Sequence, residues 1–449
     1  MTHNFTEGKP LKSILLFSVP VLLGNLFQLA YNMVDTIIVG RYLGEDALAA
    51  VGSTGPLIGV ILGFALGTSQ GFGILVSQAF GANKPEKLKH CVAVSLLLTL
   101  FISVILTLIT LCGTRQLLIW TNTPENIFKL TQDYVSIIFA GILTTMAYNV
   151  GASILRGIGD SKTPLYFLIF SSFLNLALDI LLIVYIPLST AGAAYATVIS
   201  TAISAILCFW YMFKKYELLR FTKEEAYLDV PTVKSLLSMG VPMALSHSIT
   251  QTGTVILQGA VNSFGSCVVA AYTAAFKVTG VSSQTFSTLS TAMSTYCAQN
   301  IGAKKYDRIY DGMRIGLMLT VASSILAFLI HVLGGEFIVR LFVTNPTEEL
   351  IHYANIYINI NSWFMFPLAL IYLYRFALQG LGNGVIPILN GFTEMVSRYI
   401  ASLVLTGPFG YVGVCFVNPI TYTVSAIVVV IAYIQWEKQS KCKNKCSSS

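Results

Sequence analysis

Apolar residues in this chain come in long runs parted by short polar segments, and the pattern continues from the first few residues almost to the last. A helix that crosses a bilayer needs roughly 20 mostly apolar residues. By that measure about twelve spans are predicted, near 13–39, 48–80, 91–112, 133–155, 164–186, 191–213, 234–261, 267–299, 314–334, 352–378, 386–406 and 411–435. The second and eighth runs exceed what a bilayer requires, so their ends are expected to tilt or project. The pattern reads as an all-α integral membrane protein.

Composition agrees. Hydrophobic residues make up 55% of the 449 and charged residues 10%, with a mean hydropathy of +0.73. A soluble domain carries about 25% charged residues. The net charge of +7 lies in short segments between the runs rather than on one surface, which argues against nucleic acid as a partner. Twenty-one of the 27 Lys and Arg fall in one alternating set of segments, Arg375 counted among them, against four (Arg41, Arg115, Lys129 and Arg340) in the other. Cytoplasmic loops carry the excess of basic residues, so both termini are expected in the cytoplasm of a multi-pass protein of the plasma (cell inner) membrane. The N-terminal MTHNFTEGKPLKS leads into a full span with no small-residue cleavage site. Six of the eight cysteines lie in or beside spans without metal-type spacing, and Cys442 and Cys446 sit in a Lys-rich tail that is expected to be reducing.

The chain repeats itself. LVSQAFGANKPEKLK (75–89) matches YCAQNIGAKKYDRIY (296–310), with Gln78, Gly81 and Ala82 answering to Gln299, Gly302 and Ala303. LRGIGDSKTP (155–164) likewise matches LQGLGNGVIP (378–387). Each half then holds six spans, an even number, so the halves share one topology and are related by a pseudo-two-fold axis along the membrane normal. The expected layout is an N-terminal lobe (1–213), a cytoplasmic linker (214–234), a C-terminal lobe (235–436) and a basic tail (437–449). Gly-rich GIGD and GLGNG lack the strand and the Gly-Lys-Ser/Thr ending of a phosphate loop and read as tight turns.

Three acids lie deep in apolar runs: Asp35 in span 1, Asp179 in span 5 and Glu394 in span 11. Glu394 precedes Arg398 by one helical turn, the favourable order for an ion pair; the pair either neutralises itself or touches a substrate. Asp35 and Asp179 have no basic residue within reach on their own spans. Asn175 shares a helical face with Asp179, and span 6 offers Thr197 and Ser200. Carboxylate, amide and hydroxyl oxygens suit a hard cation, and two nearby acids in apolar surroundings also suit a proton carrier. The plain alternative is an acid held by neighbouring helices for packing alone. Gln28, Tyr31 and Asn32 on span 1, and His247, Gln251 and Gln258 on span 7, line a polar cavity or serve as hydrogen-bond glue between helices.

Two six-span halves, MVDTIIVGRYLG, SQAFGA after the second span and RGIGDSKTP after the fourth resemble the multidrug and toxic compound extrusion (MATE) family over nearly the whole chain. The resemblance implies a V-shaped, two-lobed antiporter that exports organic cations or amphiphiles in exchange for Na+ or H+ by alternating access. In one branch of that family an acid of the first span, an Asn-x-x-x-Asp of the fifth and a Thr of the sixth form the cation site. Asp35, Asn175, Asp179 and Thr197 match those positions. The second half does not reproduce them: Leu257 aligns near Asp35, and Arg398 and Ser402 align with Asn175 and Asp179. Spans 7 and 10, which carry acids in some relatives, have none at depth here. No nucleophile constellation and no ATP motif is visible, so an enzyme is not expected, nor any cofactor beyond the coupling ion. The expected unit is a monomer. The alternatives are a flippase for a lipid-linked saccharide, which would want a more cationic cavity, and a channel.

Overall fold

The computed structural model describes residues 4–121, 123–342 and 347–448, excluding the side chains of 341–342 and 443–448. Cys446 and the end of the basic tail therefore lie outside the described side chains. Every regular element among the described residues is helical. The first half runs α1 (Pro10–Leu43), α2 (Glu45–Ser53), α3 (Gly55–Gly81), α4 (Pro85–Trp120), α5 (Glu125–Ala140), α6 (Ile142–Gly157), α7 (Lys162–Asp179) and α8 (Ser189–Lys215). The second runs α9 (Val230–Asn262), α10 (Ser266–Gly302), α11 (Tyr306–Phe342), α12 (Glu348–Ser362), α13 (Met365–Gly380) and α14 (Val385–Ser448).

The internal repeat is written in the backbone. Gly44 and Gly265 have φ of 84° and 87°, Asn83 and Lys304 of 53° and 57°, and Ser189 and Gly410 both of 56°. Each pair is separated by the same offset as Gln78 and Gln299, and Gly159 and Gly382 (88° and 90°) differ from that offset by two residues. Left-handed residues end helices and turn the chain, so the two halves break at the same places. Gly410 lies within α14 with φ 56° and ψ −137°, a conformation open only to glycine at little cost. It divides α14 into two arms, just as Ser189 separates α7 from α8.

Among the described residues, seven helices are long and apolar enough to cross a membrane singly, and nine when each bent pair counts as one. The bent pairs are α5–α6 (46°) and α12–α13 (52°), at equivalent points of the repeat. In the first, Gly141 leaves room for Val198 of α8, which a side chain there would strike. In the second, Pro367 opens α13 and cannot donate back across the break. The two arms of α14 count separately, and α9 and α10 are long enough but richer in Ser, Thr and Gln. With these, each half has six crossings. Pro20 in α1 and Pro242 in α9 occupy equivalent places, which membrane helices tolerate because neighbours satisfy the freed carbonyls.

Two compact units emerge, Met1–Phe5 with Leu15–Ala244, and Thr6–Ile14 with Leu245–Ser449. In the first, α3 meets the opening turns of α9 backbone to backbone. A Cβ on Gly67 would come within 2.6 Å of Ala244 Cα, and one on Gly71 within 2.5 Å of Gly240 Cα. This is the small-residue helix crossing of membrane proteins, where apolar burial gives no driving force and close contact must supply it. Phe72, Val92, Ile154 and Cys208 from α3, α4, α6 and α8 fill the core beside it. In the second unit, Tyr272, Tyr357, Val414 and Cys415 from α10, α12 and α14 form the corresponding core. There Lys305 Nζ donates to Thr6 O (2.9 Å), and Arg308 donates to Glu7 O (3.0 Å) and Gly8 O (3.1 Å).

Candidate functional site

Within the first unit, α1, α7 and α8 bring Asp35, Asn175, Asp179 and Thr197 together with Tyr31. α7 carries Asn175 and Asp179 one turn apart on a face that is buried, while Phe170 and Phe173 face outward. After Asp179 the helix widens into a π-helical turn over Ile180–Tyr185, a local unwinding that often marks a functional position. The carboxyls of Asp35 and Asp179 lie within hydrogen-bonding reach of one another. Asn175, oriented as its neighbours require, donates to Asp179 Oδ2 (2.7 Å) and to Tyr31 Oη (3.3 Å) and accepts from Thr197 N (3.0 Å). Thr197 Oγ1 donates to Ala193 O at 3.1 Å. Buried Oδ1 atoms of both Asp35 and Asp179 have no hydrogen-bond partner. Tyr134 of α5, which no pattern along the chain singles out, lies within electrostatic reach of both carboxyls. Two carboxylates this close repel unless one positive charge sits with them.

The other polar residues of span 1 stand apart, Gln28 and Asn32 being exposed on α1. On α9, Gln258 donates to Asn262 Oδ1 (2.9 Å) on its own helix, whereas Gln251 faces a cavity of the second unit and His247 lies within electrostatic reach of Arg375. Glu394 does pair with Arg398, at 3.9 Å, but it is also 3.6 Å from Arg375 Nη1 and accepts from Asn390 Nδ2 at 2.6 Å. Arg375, counted above with the loop residues, is thus corrected to a buried position on α13. Its partner is on the next helix, so spacing along its own helix could not reveal the pair. The basic bias survives its removal.

The RGIGDSKTP turn is structural. Asp160 Oδ1 accepts from the backbone N–H of Lys162 (3.1 Å) and Thr163 (3.0 Å), capping α7, and Oδ2 accepts from Thr163 Oγ1 (2.6 Å) and Tyr216 Oη (2.5 Å). Burial alone would raise the Asp160 carboxyl, but these donors and Lys215 outweigh it and hold it below the usual carboxylate value. Asn383 repeats the cap in the second half, its Oδ1 accepting from Val385 N and Ile386 N. No group of three or more His, Cys, Asp or Glu that could hold a metal ion occurs among the described residues.

The MatE family profile matches this chain twice, over residues 20–181 and 242–404, one match per half. The probable multidrug resistance protein YoeA of Bacillus subtilis is 34% identical over 371 residues, covering 81% of this chain and 80% of its own length. A protein of Shewanella oneidensis named FAD transporter is 24% identical, covering 84% of each chain. Among solved structures, the outward-facing conformation of a multidrug resistance MATE family transporter superimposes with a TM-score of 0.91 at 22% identity, covering 97% of both chains. A repeated six-span half, an acid pair on α1 and α7 and a family profile matched in each half lead to one conclusion: the chain belongs to the MATE family of multidrug efflux transporters.

Proposed function

We propose that this protein is a secondary antiporter that exports organic cations or amphiphiles in exchange for a monovalent cation, H+ or Na+, taken up at Asp35 and Asp179. The observation that carries this reading is the contact between the buried carboxyl of Asp179 and the half-buried carboxyl of Asp35, each with one buried oxygen lacking a donor. Such a pair takes one positive charge, either a proton shared between the acids or a cation ringed by their oxygens and those of Thr197 and Tyr31. Uptake of that charge removes the repulsion between α1 and α7, and the π-helical turn after Asp179 gives α7 a place to repack. An ion that favours one conformation and a cargo that favours another then compete through a shared equilibrium, as alternating access requires. Both termini are assigned to the cytoplasm by the basic bias of the loops.

Dye efflux from proteoliposomes under separately imposed sodium and pH gradients tests the reading and names the ion. Wild type is expected to extrude dye under one of the two gradients. Asp35→Asn and Asp179→Asn, which mimic the neutralised acids, are expected to fall to the level of empty liposomes. Full gradient-driven efflux by both variants would remove the coupling site, and efflux driven by ATP alone would remove the antiporter itself.

A further inference from the structure

The second unit holds a partly open cavity of about 350 Å3, at the lower end of the size range of ligand pockets. Three charged side chains line it, Arg375, Arg398 and Glu394, and all three are buried. One carboxylate between two guanidiniums leaves a single positive charge. A guanidinium does not deprotonate in proteins, and an uncompensated charge away from water is costly. The interior therefore calls for a negative partner that the described residues do not supply.

The hydrogen bonds show where that partner belongs. Arg398 is committed to the scaffold: Nε donates to Asn418 Oδ1 (3.3 Å), Nη1 donates to Thr250 O (3.2 Å), and Nη2 lies 3.9 Å from Glu394. Arg375 is committed only in part. Its Nη1 is 3.6 Å from Glu394, its guanidinium rests over the rings of Tyr372 (5.7 Å) and Phe376 (5.2 Å), and its buried Nε has no hydrogen-bond partner. Leaving such a group unmet is expensive, and Nε with a terminal nitrogen forms the fork that meets an anion's two oxygens. Gln251, Gln284 and Ser283 add neutral polar groups to the same lining.

We propose that this cavity binds a monovalent anion, either the carboxylate of a substrate or a free chloride ion, received by Arg375 in the field of Arg398. Glu394 sets the charge, because without it the cavity would carry two positive charges. The site is separate in the chain from the acid pair and does not rest on the coupling reading.

Binding to the full-length protein in detergent micelles tests this, with no gradient imposed, so that its outcome is independent of the efflux assay. N-methylglucamine benzoate, N-methylglucamine chloride and uncharged benzyl alcohol are titrated calorimetrically in HEPES–N-methylglucamine buffer without added salt, so that the cation is the same throughout. Saturable binding of an anion is expected, and none of benzyl alcohol. Benzoate binding more tightly than chloride assigns the site to a carboxylate, and the reverse order assigns it to the free halide. Arg375→Gln is expected to weaken the anion at least about tenfold, the loss of one charge-assisted contact. Glu394→Gln is expected to tighten it, a gain that unfolding cannot produce. Benzyl alcohol binding as well as benzoate, Arg375→Gln binding as wild type, or Glu394→Gln binding no tighter would each overturn the proposal.

Discussion

Asp160 accepts four hydrogen bonds in one turn, two from the backbone that opens α7 and two from the hydroxyls of Thr163 and Tyr216. Removing the carboxyl in Asp160→Ala gives up a helix cap and strands a buried tyrosine hydroxyl, a combined cost of about 2–4 kcal/mol. Asp160→Asn keeps an oxygen for the backbone donors, as Asn383 does in the second half, but its amide nitrogen cannot accept from the hydroxyls. Thermal unfolding in detergent is expected to rank wild type above Asp160→Asn and Asp160→Ala lowest. Equal losses in the two variants would show that the backbone cap contributes nothing. Sequence alone marked this acid as part of a motif and a tight turn but not as an anchor for the end of α8, because Tyr216 and Lys215 reach it from far along the chain. The deep acids were easier to find, since an unpaired carboxylate in an apolar run is rare on physical grounds. Tyr134 and Arg375 were not, because what they touch depends on how helices cross.

At the level of elements, apolar run length and the repeat made nearly every span legible, while bends were not. The 46° bend at Gly141 lies inside an apolar run with no polar signal to announce it, whereas the break at Thr54 between α2 and α3 falls in Gly52-Ser53-Thr54-Gly55-Pro56, a turn signal that a reading by run length alone passes over. The segment joining α8 to α9 shows the opposite case, a charged stretch with definite structure. His90 of α4 meets Glu225 O through Nδ1 (2.8 Å) and Asp229 Oδ1 through Nε2 (2.5 Å), and Lys89 lies 3.9 Å from Glu225. Desolvation would raise the Asp229 carboxyl, but the Thr232 N–H and His90 prevail and lower it to about 2. A carboxyl depressed on folding stabilises the docked state above its unfolded value near 4 and loses that contribution as pH falls toward the folded value. Pepsin cleavage within 216–229 is therefore expected to rise as pH drops from about 4 to about 2. In Asp229→Asn only the change due to pepsin's own carboxyl pair should remain over this range; a profile identical to wild type would assign the acid step to another group.

Across the whole molecule, duplication has preserved the backbone and let the charges diverge. The positive-φ residues, the bent spans and the helix caps recur in both halves, yet the first half joins a buried acid, Asp179, to a half-buried one, Asp35, with no basic partner among the described residues, and the second buries two guanidiniums around one acid. A scaffold that keeps its turns can exchange the chemistry of its interior half by half, because caps and glycines fix the helices while facing side chains set what the interior attracts. The same topology makes orientation a sharp question: six crossings per half return the chain to its starting side twice, so both ends and the linker share one face of the membrane. On the orientation proposed above, that face is the cytoplasmic one. Cys442 in the tail is exposed, and Glu348, opening α12 between spans 9 and 10, is exposed on a turn that the even count puts on the opposite face. In intact cells, a variant retaining Cys442 as its one cysteine is expected to resist a membrane-impermeant maleimide until the membrane is opened. Glu348→Cys in a cysteine-free background is expected to react at once. Labelling of both from the same side would break the twelve-span topology, and exchange of the two results would keep the topology and invert it.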